Sequence, residues 1–313
     1  MKNIFILNPH AGKKGHVQKL EKEIHSYFQT HGGNYEICYT HHAGEGKEIA
    51  KTQAEKGEPL RIFACGGDGS TFDVLNGIIG YPNAVLGMLP CGTGNDFLKY
   101  FENAHLFSCL DAQMNGATVR MDAIKAGDAY CLNQASMGLD AKVCAHKDKF
   151  RRLPFVGGKL AYTLSLLYCF FTALKNQFTV QVDNNPPASG EFLFSIAANG
   201  RDYGGGFMSA PKALVDDGLL DCVTITPVSR LRILSLLKKY TRGEHLELPI
   251  CTFTRGKKLR VTCPHDAPVN LDGEVIWGKE ITFEIVPHAV AFSLPKGVGM
   301  PSAKTAKEPA VTH

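Results

Sequence analysis

Two glycine-rich turns in the first third of the chain hold the residues best suited to phosphate chemistry. The first is Gly66–Ser70, with the sequence GGDGS, and the second is Cys91–Asp96, with the sequence CGTGND. Glycines let backbone N–H groups approach phosphate oxygens closely, and the N-terminus of a following helix adds positive potential. Asp68 and Asp96 add carboxylates that suit Mg²⁺. The pair of turns therefore predicts a site for a nucleoside triphosphate and its metal.

Two acidic segments further along the chain are each open to two interpretations. Leu271–Glu274 is typical of an ordinary Asp-Gly hairpin turn, or of a turn that presents Glu274 as a general base for a substrate hydroxyl. Ala213–Asp221 places three acids around Gly218. That pattern is typical of a polar turn, or of a cation site built from carboxylate and backbone carbonyl oxygens. The residues alone leave both choices open.

The elements that must position the two turns alternate between strand and helix. Apolar runs predict strands over Asn3–Asn8, Tyr35–Thr40, Leu60–Cys65 and Val85–Leu89, with helices over His16–Gln29, Gly46–Glu55 and Thr71–Ile79 between them. Such alternation predicts a doubly wound parallel sheet. Ligands of these sheets bind beyond the carboxyl ends of the strands, so Asn8, Thr40 and both glycine turns are expected at one edge.

The composition of the chain changes after about Arg120, where short β-rich runs with turn signals predict a sandwich. These runs include Ala129–Ala135, Ile281–Val286 and Val290–Leu294. Longer helices are predicted there only over Lys159–Leu174 and Ser229–Tyr240. The expected fold class is α/β plus β, with an N-terminal doubly wound parallel sheet domain over residues 1–120 and a C-terminal β-sandwich domain over residues 121–296. The tail from Gly297 to His313 is expected to be partly disordered.

Composition and charge argue against several classes of protein. A net charge of +4 gives no signal for nucleic-acid binding. The apolar start of the chain is too short for a signal peptide, and the run Leu160–Leu174 falls short of the roughly 20 residues that a spanning helix needs. The 10 cysteines form no CxxC pair, which favours reduced thiols over a disulfide framework. We therefore expect a cytoplasmic protein.

Taken together, these motifs resemble the diacylglycerol kinase catalytic-domain family, which includes sphingosine kinases and bacterial lipid kinases. The resemblance extends over about residues 2 to 294, and both the order and the spacing of the motifs fit. The matching pieces are Asn8-Pro9, Ala11-Gly12, Thr40, Gly66–Ser70, Asn76-Gly77, Pro90, Gly92–Phe97, Asp122, Gly204–Gly206, Ala210-Pro211, Asp216–Asp221 and Leu271–Glu274.

The resemblance implies a set of roles for residues of this chain. An N-terminal α/β domain should bind ATP, and a C-terminal β-sandwich should complete a cleft for the lipid. The implied ATP contacts are Asn8, Thr40, Gly66, Gly67, Asp68, Gly69, Ser70, Thr71, Phe72, Gly92, Thr93 and Asn95. The implied catalytic residues are Asp68 and Glu274, with Glu274 as the proton acceptor.

The same resemblance implies two magnesium sites. Asp68, with Asp96 and Asp122, should organise the catalytic Mg²⁺. The carboxylate of Asp217, with the carbonyl oxygens of Leu214 and Leu219, resembles a structural Mg²⁺ site. The apolar helix from Leu160 to Phe171 is a candidate wall of the acyl-chain cleft, with a plain core helix as the alternative.

One position departs from the family pattern, because Ser70 stands where Thr is usual. The hydroxyl is retained, so ATP binding is expected to survive. The motifs do not settle the acceptor lipid, although diacylglycerol or a related lipid is favoured. The competing interpretations are an NAD kinase, which shares the GGDG turn, and a non-catalytic nucleotide or lipid sensor on the same fold.

The expected partner is a lipid substrate at the membrane surface, and no nucleic acid is expected. Neither a spanning helix nor an obvious basic amphipathic helix is visible in the sequence. We therefore expect a peripheral contact with the membrane. The sequence leaves a homodimer open.

Overall fold

The computed structural model describes residues 1–12, 15–92, 94–151, 158–172, 174–204 and 206–301. Within it the chain forms two compact units. Among the described residues, the first contains Met1–Asp122 and the chain from Pro287 to Pro301, and the second contains Ala123–Val286.

The first unit begins with the predicted alternation of strands and helices. Its elements are β1 (Lys2–Leu7), α1 (His16–His31), β2 (Tyr35–Tyr39), α2 (Glu45–Ala54), β3 (Leu60–Gly66), α3 (Asp68–Ile78), β4 (Ala84–Pro90), two 3-10 turns (Phe97–Tyr100 and Ala104–Ser108), α4 (Leu110–Met114) and the start of β5 (Ala117–Ala126). The strands pair in the order β4-β3-β1-β2, and all are parallel. The predicted parallel sheet is confirmed.

Burial on both faces explains why this sheet is apolar. All seven residues of β3 are buried. Phe5 of β1 stacks on Phe63 of β3 with ring centroids 4.9 Å apart, and both pack against Ile24 and Phe28 of α1. The next residue along β3 from Phe63, Ile62, has its side chain on the opposite face of the sheet and is equally buried. A strand that is covered on both faces must be apolar at successive positions rather than alternate ones.

The second unit is rich in antiparallel strands. Its elements are the end of β5, β6 (Ala129–Cys131), β7 (Gln134–Gly138), α5 (Leu139–Arg151), α6 (Gly158–Thr172), β8 (Asn176–Val182), β9 (Ala188–Phe192), β10 (Phe194–Ala198), β11 (Asp202–Tyr203), β12 (Phe207–Met208), β13 (Leu220–Ile225), α7 (Arg230–Thr241), β14 (Cys251–Gly256), β15 (Lys258–Leu271) and most of β16 (Glu274–Leu294). The strands run in the order β14-β13-β10-β7-β15-β16, with β8 beside β15 and β9 beside β8. This β-rich unit confirms the predicted fold class.

The division into units differs from the predicted one near the C-terminus. The sequence placed residues up to 296 in the second domain, but the chain from Pro287 belongs to the first unit. There Phe292 pairs with Leu86 of β4 in parallel register. Its ring also stacks on Phe101, with centroids 5.8 Å apart. The last part of β16 therefore completes the core of the first unit.

Several local predictions need correction. The run Ala129–Ala135 is interrupted after Cys131, and α5 was not foreseen. The two short strands predicted over Ile281–Val286 and Val290–Leu294 are parts of the single strand β16. No helix among the described residues is long and apolar enough to cross a membrane. The tail from residue 302 lies outside the described residues.

Candidate active site

The loops that follow β1, β3 and β4 are bonded to one another at the carboxyl edge of the parallel sheet. The amide of Asn8 donates to the carbonyl of Cys65 at 3.2 Å. The amides of Cys91 and Gly92 both donate to the carbonyl of Gly66, at 2.8 and 3.0 Å. The structure thus brings together the two glycine turns and the first loop, as the strand order predicts.

The close approach of the two turns depends on glycine. A Cβ atom on Gly92 would lie 2.8 Å from the Cα atom of Gly67, and one on Gly66 would lie 2.1 Å from the Ser70 hydroxyl. Gly12 has a positive φ of 75°, and its Cβ atom would lie 2.0 Å from the Cys91 carbonyl oxygen. Side chains at these positions would push the loops apart and cover the backbone that a phosphate must approach.

Asp68 joins the second turn to the first through its side chain. It is the first residue of α3, and its carboxylate accepts the amide of Asn95 at 2.8 Å and the amide of Asp96 at 3.0 Å. A Cβ atom on Gly94 would lie 2.3 Å from the Asp68 Oδ2 atom, so Gly94 leaves room for this carboxylate. The aspartates of the two turns therefore belong to one polar cluster.

Electrostatics in this cluster favour a cation. Burial, and then the nearby charge of Asp96, raise the pKa of Asp68 to about 6. The amides of Asn95 and Asp96 oppose that rise, as does the charge of Lys99, which forms an ion pair with Asp96. A carboxylate that is costly to ionise in this way is stabilised when a cation binds beside it.

The residues present fit a magnesium ion that is brought by a nucleotide. No group of three or more His, Cys, Asp or Glu side chains among the described residues could hold a metal ion by itself. Mg²⁺ at phosphate sites commonly uses one or two carboxylates, with phosphate and water oxygens for the rest. Asp68 and Asp96 supply such a pair.

The other residues predicted to contact ATP lie around this edge. The Thr71 hydroxyl donates to the Gly67 carbonyl at 3.4 Å and supports the start of α3. Ser70 and Phe72 are half-buried in the first turn of that helix. Thr40 follows β2, and its amide donates to the carbonyl of Leu7 at 3.0 Å. Thr93 and the loop residue Gly205 lie outside the described residues.

Asp122, the third predicted member of the catalytic metal network, lies on β5 and is buried. Its Oδ1 atom accepts the amide of His288 at 2.7 Å. His288 has a positive φ of 52°. The hydrogen bond from the His288 amide to Asp122 therefore stabilises a strained backbone position in β16. The sequence did not suggest this structural role for Asp122.

The predicted structural metal site contains an arginine that sequence reasoning missed. The Asp217 carboxylate accepts the amide of Leu219 at 3.1 Å and lies 3.5 Å from the Arg255 guanidinium. Arg255 also contacts Asp221 at 2.8 Å, because these two residues are paired in register between β13 and β14. Leu214, which precedes Asp217 in the chain, is buried. Positive charge beside Asp217 is therefore supplied by the protein itself.

Glu274 begins β16 and is exposed, directly after a two-residue hairpin turn. Asp272 and Gly273 form the turn with φ values of 52° and 97°, and Leu271 pairs with Glu274 across it. Positive φ at both central residues is typical of the type I′ hairpin that Asp-Gly favours. The hairpin is thus present, and the Glu274 side chain is exposed at its end.

Two side chains hold this hairpin in place, and the sequence pattern did not identify either role. The Asp272 carboxylate accepts the amides of Leu132 at 2.7 Å and Gln134 at 2.8 Å, and the amide of Asn133 at 3.2 Å. The side-chain oxygen of Asn270 accepts the amide of Gly273 at 2.8 Å. The backbone that carries Glu274 is therefore fixed from both sides.

Replacing Asp272 by Ala is expected to destabilise the second unit by about 2–4 kcal/mol, because three backbone amides lose a charged acceptor. Urea unfolding can be followed by the fluorescence of Trp277, the only tryptophan of the chain. Asp128→Ala, at an exposed turn position, is the matched control and should change stability by less than about 0.5 kcal/mol. Equal effects of the two substitutions would show that the Asp272 bonds contribute little.

Comparison with known proteins places this geometry in a family. Residues 2–126 match the family model described as the diacylglycerol kinase catalytic domain. Residues 133–293 match the model described as the YegS C-terminal NAD kinase beta sandwich-like domain. The two matches cover the two units in the order that the motifs predicted.

Curated relatives agree with these matches, and a solved structure shares the fold. The "probable lipid kinase YegS-like" of Shewanella frigidimarina is 31% identical over 240 residues, which is 75% of this chain and 76% of that protein. The protein of the same name from Yersinia enterocolitica is 28% identical over 303 residues, 93% of this chain and 96% of the relative. A diacylglycerol kinase structure from Bacillus anthracis str. Sterne has a TM-score of 0.66 and 19% identity, with 93% of this chain and 96% of that chain covered. The chain therefore belongs to the YegS-like lipid kinase family, as its motifs predicted.

Proposed function

We propose that this protein is an ATP- and Mg²⁺-dependent lipid kinase that transfers the γ-phosphate of ATP to a lipid hydroxyl, with diacylglycerol or a related lipid as acceptor. Membership of a lipid kinase family makes the chain a phosphotransferase with an alcohol group as acceptor. One observation carries the choice of ATP: two glycine turns meet at one sheet edge, and the buried carboxylate of Asp68 joins them.

Phosphoryl transfer depends mainly on positioning and on charge neutralisation. Backbone amides of the two glycine turns would hold the phosphates, and Thr40 and Asn8 would line the same edge. Asp68 and Asp96 would hold Mg²⁺, which would supply positive charge to offset the charge that develops on the phosphates.

Proton removal from the lipid hydroxyl is assigned to Glu274. Its carboxylate is exposed on a hairpin whose backbone is fixed by Asp272 and Asn270. A general base works best when its position is set before the substrate arrives. In-line transfer requires that Glu274 reach the acceptor hydroxyl next to the γ-phosphate.

The lipid acceptor implies work at a membrane surface by a cytoplasmic protein that binds peripherally. A nucleotide or lipid sensor on the same fold would keep ATP binding but would not need Glu274.

A lipid panel tests the proposed activity directly. The full chain is incubated with γ-labelled ATP and Mg²⁺ against diacylglycerol, monoacylglycerol, sphingosine, ceramide, phosphatidylglycerol and undecaprenol, with NAD as a separate acceptor. Label in one lipid, lost in Asp68→Ala and after chelation of Mg²⁺, supports the kinase and names its acceptor. Bound ATP with no labelled lipid favours the sensor, and label in NAD contradicts a lipid acceptor.

A further inference from the structure

The helices α6 and α7 of the second unit present large apolar side chains to solvent. On α7, Leu231 is 81% exposed and Leu234 is 59% exposed, and Leu237 is also exposed. On α6, Leu167 and Phe171 are 53% and 58% exposed. Exposed apolar side chains are ordinary when scattered singly, but a contiguous group marks an interaction surface.

The two helices meet at one end, which brings the exposed Phe171 of α6 next to the first turn of α7. Arg230, at the start of α7, donates from its guanidinium to the carbonyls of Phe170 and Phe171, near the end of α6. The same guanidinium lies 6.0 Å from the centroid of the Phe171 ring. The end of α6 that carries Phe171 is therefore held against the start of α7.

The exposed leucines of α7 lie outside the core of the second unit. The inner side of α7 is anchored by Ile233 and Tyr240, which pack against the buried cluster of that unit. The Tyr240 hydroxyl is bonded to that of Tyr203 at 3.0 Å, and Ser229 caps the helix by accepting the amide of Arg232. The outer leucines thus have no packing role that explains them.

Charge on the same helix identifies the partner. Between Ser229 and Arg242 the sequence contains basic residues but no acidic residue. Arg242 lies 4.0 Å from Glu244, whereas Arg232, Lys238 and Lys239 are exposed on the helix beside the leucines. Leucines bordered by Lys and Arg on one helix are typical of helices that lie in the interface of an anionic membrane.

We propose that α7, together with the outer side of α6, is the surface by which this protein docks on an anionic phospholipid bilayer. The docking face is defined as Leu167, Phe171, Leu231, Leu234 and Leu237 with Arg232, Lys238 and Lys239. The leucines and Phe171 enter the acyl boundary, and the basic side chains bind lipid phosphates. A second copy of the chain is a poorer occupant, because two basic faces repel each other. The proposal rests on the proposed function only in that a lipid kinase must reach a membrane.

Vesicle binding of the full chain, measured without ATP, tests the docking face. Flotation is compared on vesicles of phosphatidylcholine alone and of phosphatidylcholine mixed with phosphatidylglycerol. Wild type should bind the mixed vesicles more tightly, and salt should weaken that binding.

Each basic residue near such a surface strengthens binding about fivefold, so Arg232→Glu combined with Lys239→Glu should weaken vesicle binding roughly twentyfold or more. Leu231→Ser combined with Leu234→Ser should weaken it about tenfold or more on loss of the buried apolar area.

The matched control is Lys19→Glu combined with Lys22→Glu, which makes the same charge change at exposed positions of α1. It should bind as wild type does. Docking variants that bind as tightly as this control would overturn the proposal, as would wild type that ignores phosphatidylglycerol. A dimeric wild type whose docking variants are monomeric in sedimentation would assign the face to a second copy instead.

Two further outcomes separate docking from the kinase activity. The docking variants should keep wild-type turnover on acceptor lipid in neutral detergent micelles, because they do not touch the candidate active site. Vesicle binding that depends on α7 in a protein that labels no lipid would support the docking face and contradict the kinase. Lipid labelling by a protein whose vesicle binding does not depend on α7 would support the kinase and contradict the docking face.

Discussion

Asp68→Ala is expected to reduce phosphate transfer by roughly a thousandfold while the protein remains folded. The carboxylate that is removed is the one that accepts the amides of Asn95 and Asp96 and joins the two glycine turns. Its loss takes away both the bridge between the turns and half of the carboxylate pair for Mg²⁺. Steady-state turnover with γ-labelled ATP and the acceptor lipid measures the effect.

Two companion variants make this result specific. Asp68→Asn keeps the size of the side chain and one acceptor oxygen, so it should preserve the loop better but still lose most activity. Asp111→Ala, at an exposed position of α4, should keep activity within about twofold of wild type. An Asp68→Asn enzyme with near wild-type turnover would show that charge at this position is not needed.

The pKa of Asp68, raised to about 6, adds a pH dependence with a definite sign. The ionised form is the one that holds a cation, so ATP turnover at low Mg²⁺ should fall as the pH decreases through about 6. Saturating Mg²⁺ should move that midpoint lower, because the bound cation favours the carboxylate. For stability the direction is opposite. The folded state binds this proton more tightly than the unfolded chain, so the contribution of Asp68 declines as the pH rises from the ordinary pKa of 3.8 to about 6.

Local signals explain why the first unit was predictable in detail. Its strands are mostly apolar, and glycine, proline or polar residues follow or end each one. Parallel strands separated by helices have few topologies, so the carboxyl-edge loops were certain to gather. The Asp68 bridge was not predictable to the same degree, because it depends on the path of the backbone between Gly92 and Asp96.

The second unit was less predictable, because its bonds join residues that are distant in sequence. Arg255 meets Asp221 only through the register of β13 and β14, and Asp272 accepts amides that lie in the Leu132–Gln134 turn. No local sequence pattern predicts pairs of residues that lie so far apart in the chain. The docking face is a different case, because the sequence showed no obvious basic amphipathic helix. The structure corrects this expectation, since α7 exposes Leu231 and Leu234 together with basic side chains.

Glu274→Gln is expected to lower the rate of the chemical step by about 10²–10⁴-fold and to leave ATP affinity nearly unchanged. Glutamine has the same size but cannot accept the proton of the lipid hydroxyl. The side chain is exposed after a turn that other residues fix, so stability should change by less than about 0.5 kcal/mol. Single-turnover transfer measures the step, and calorimetric titration with ATP measures binding.

The choice of control decides what the Glu274 result means. Glu280→Gln alters another exposed glutamate of the same strand, one that lies 3.7 Å from Arg260, and should leave transfer within about twofold. If the variant transfers phosphate at the wild-type rate, another group or a water molecule accepts the proton. Full loss of transfer together with loss of ATP binding would instead indicate that the hairpin, not the carboxylate, had been disturbed.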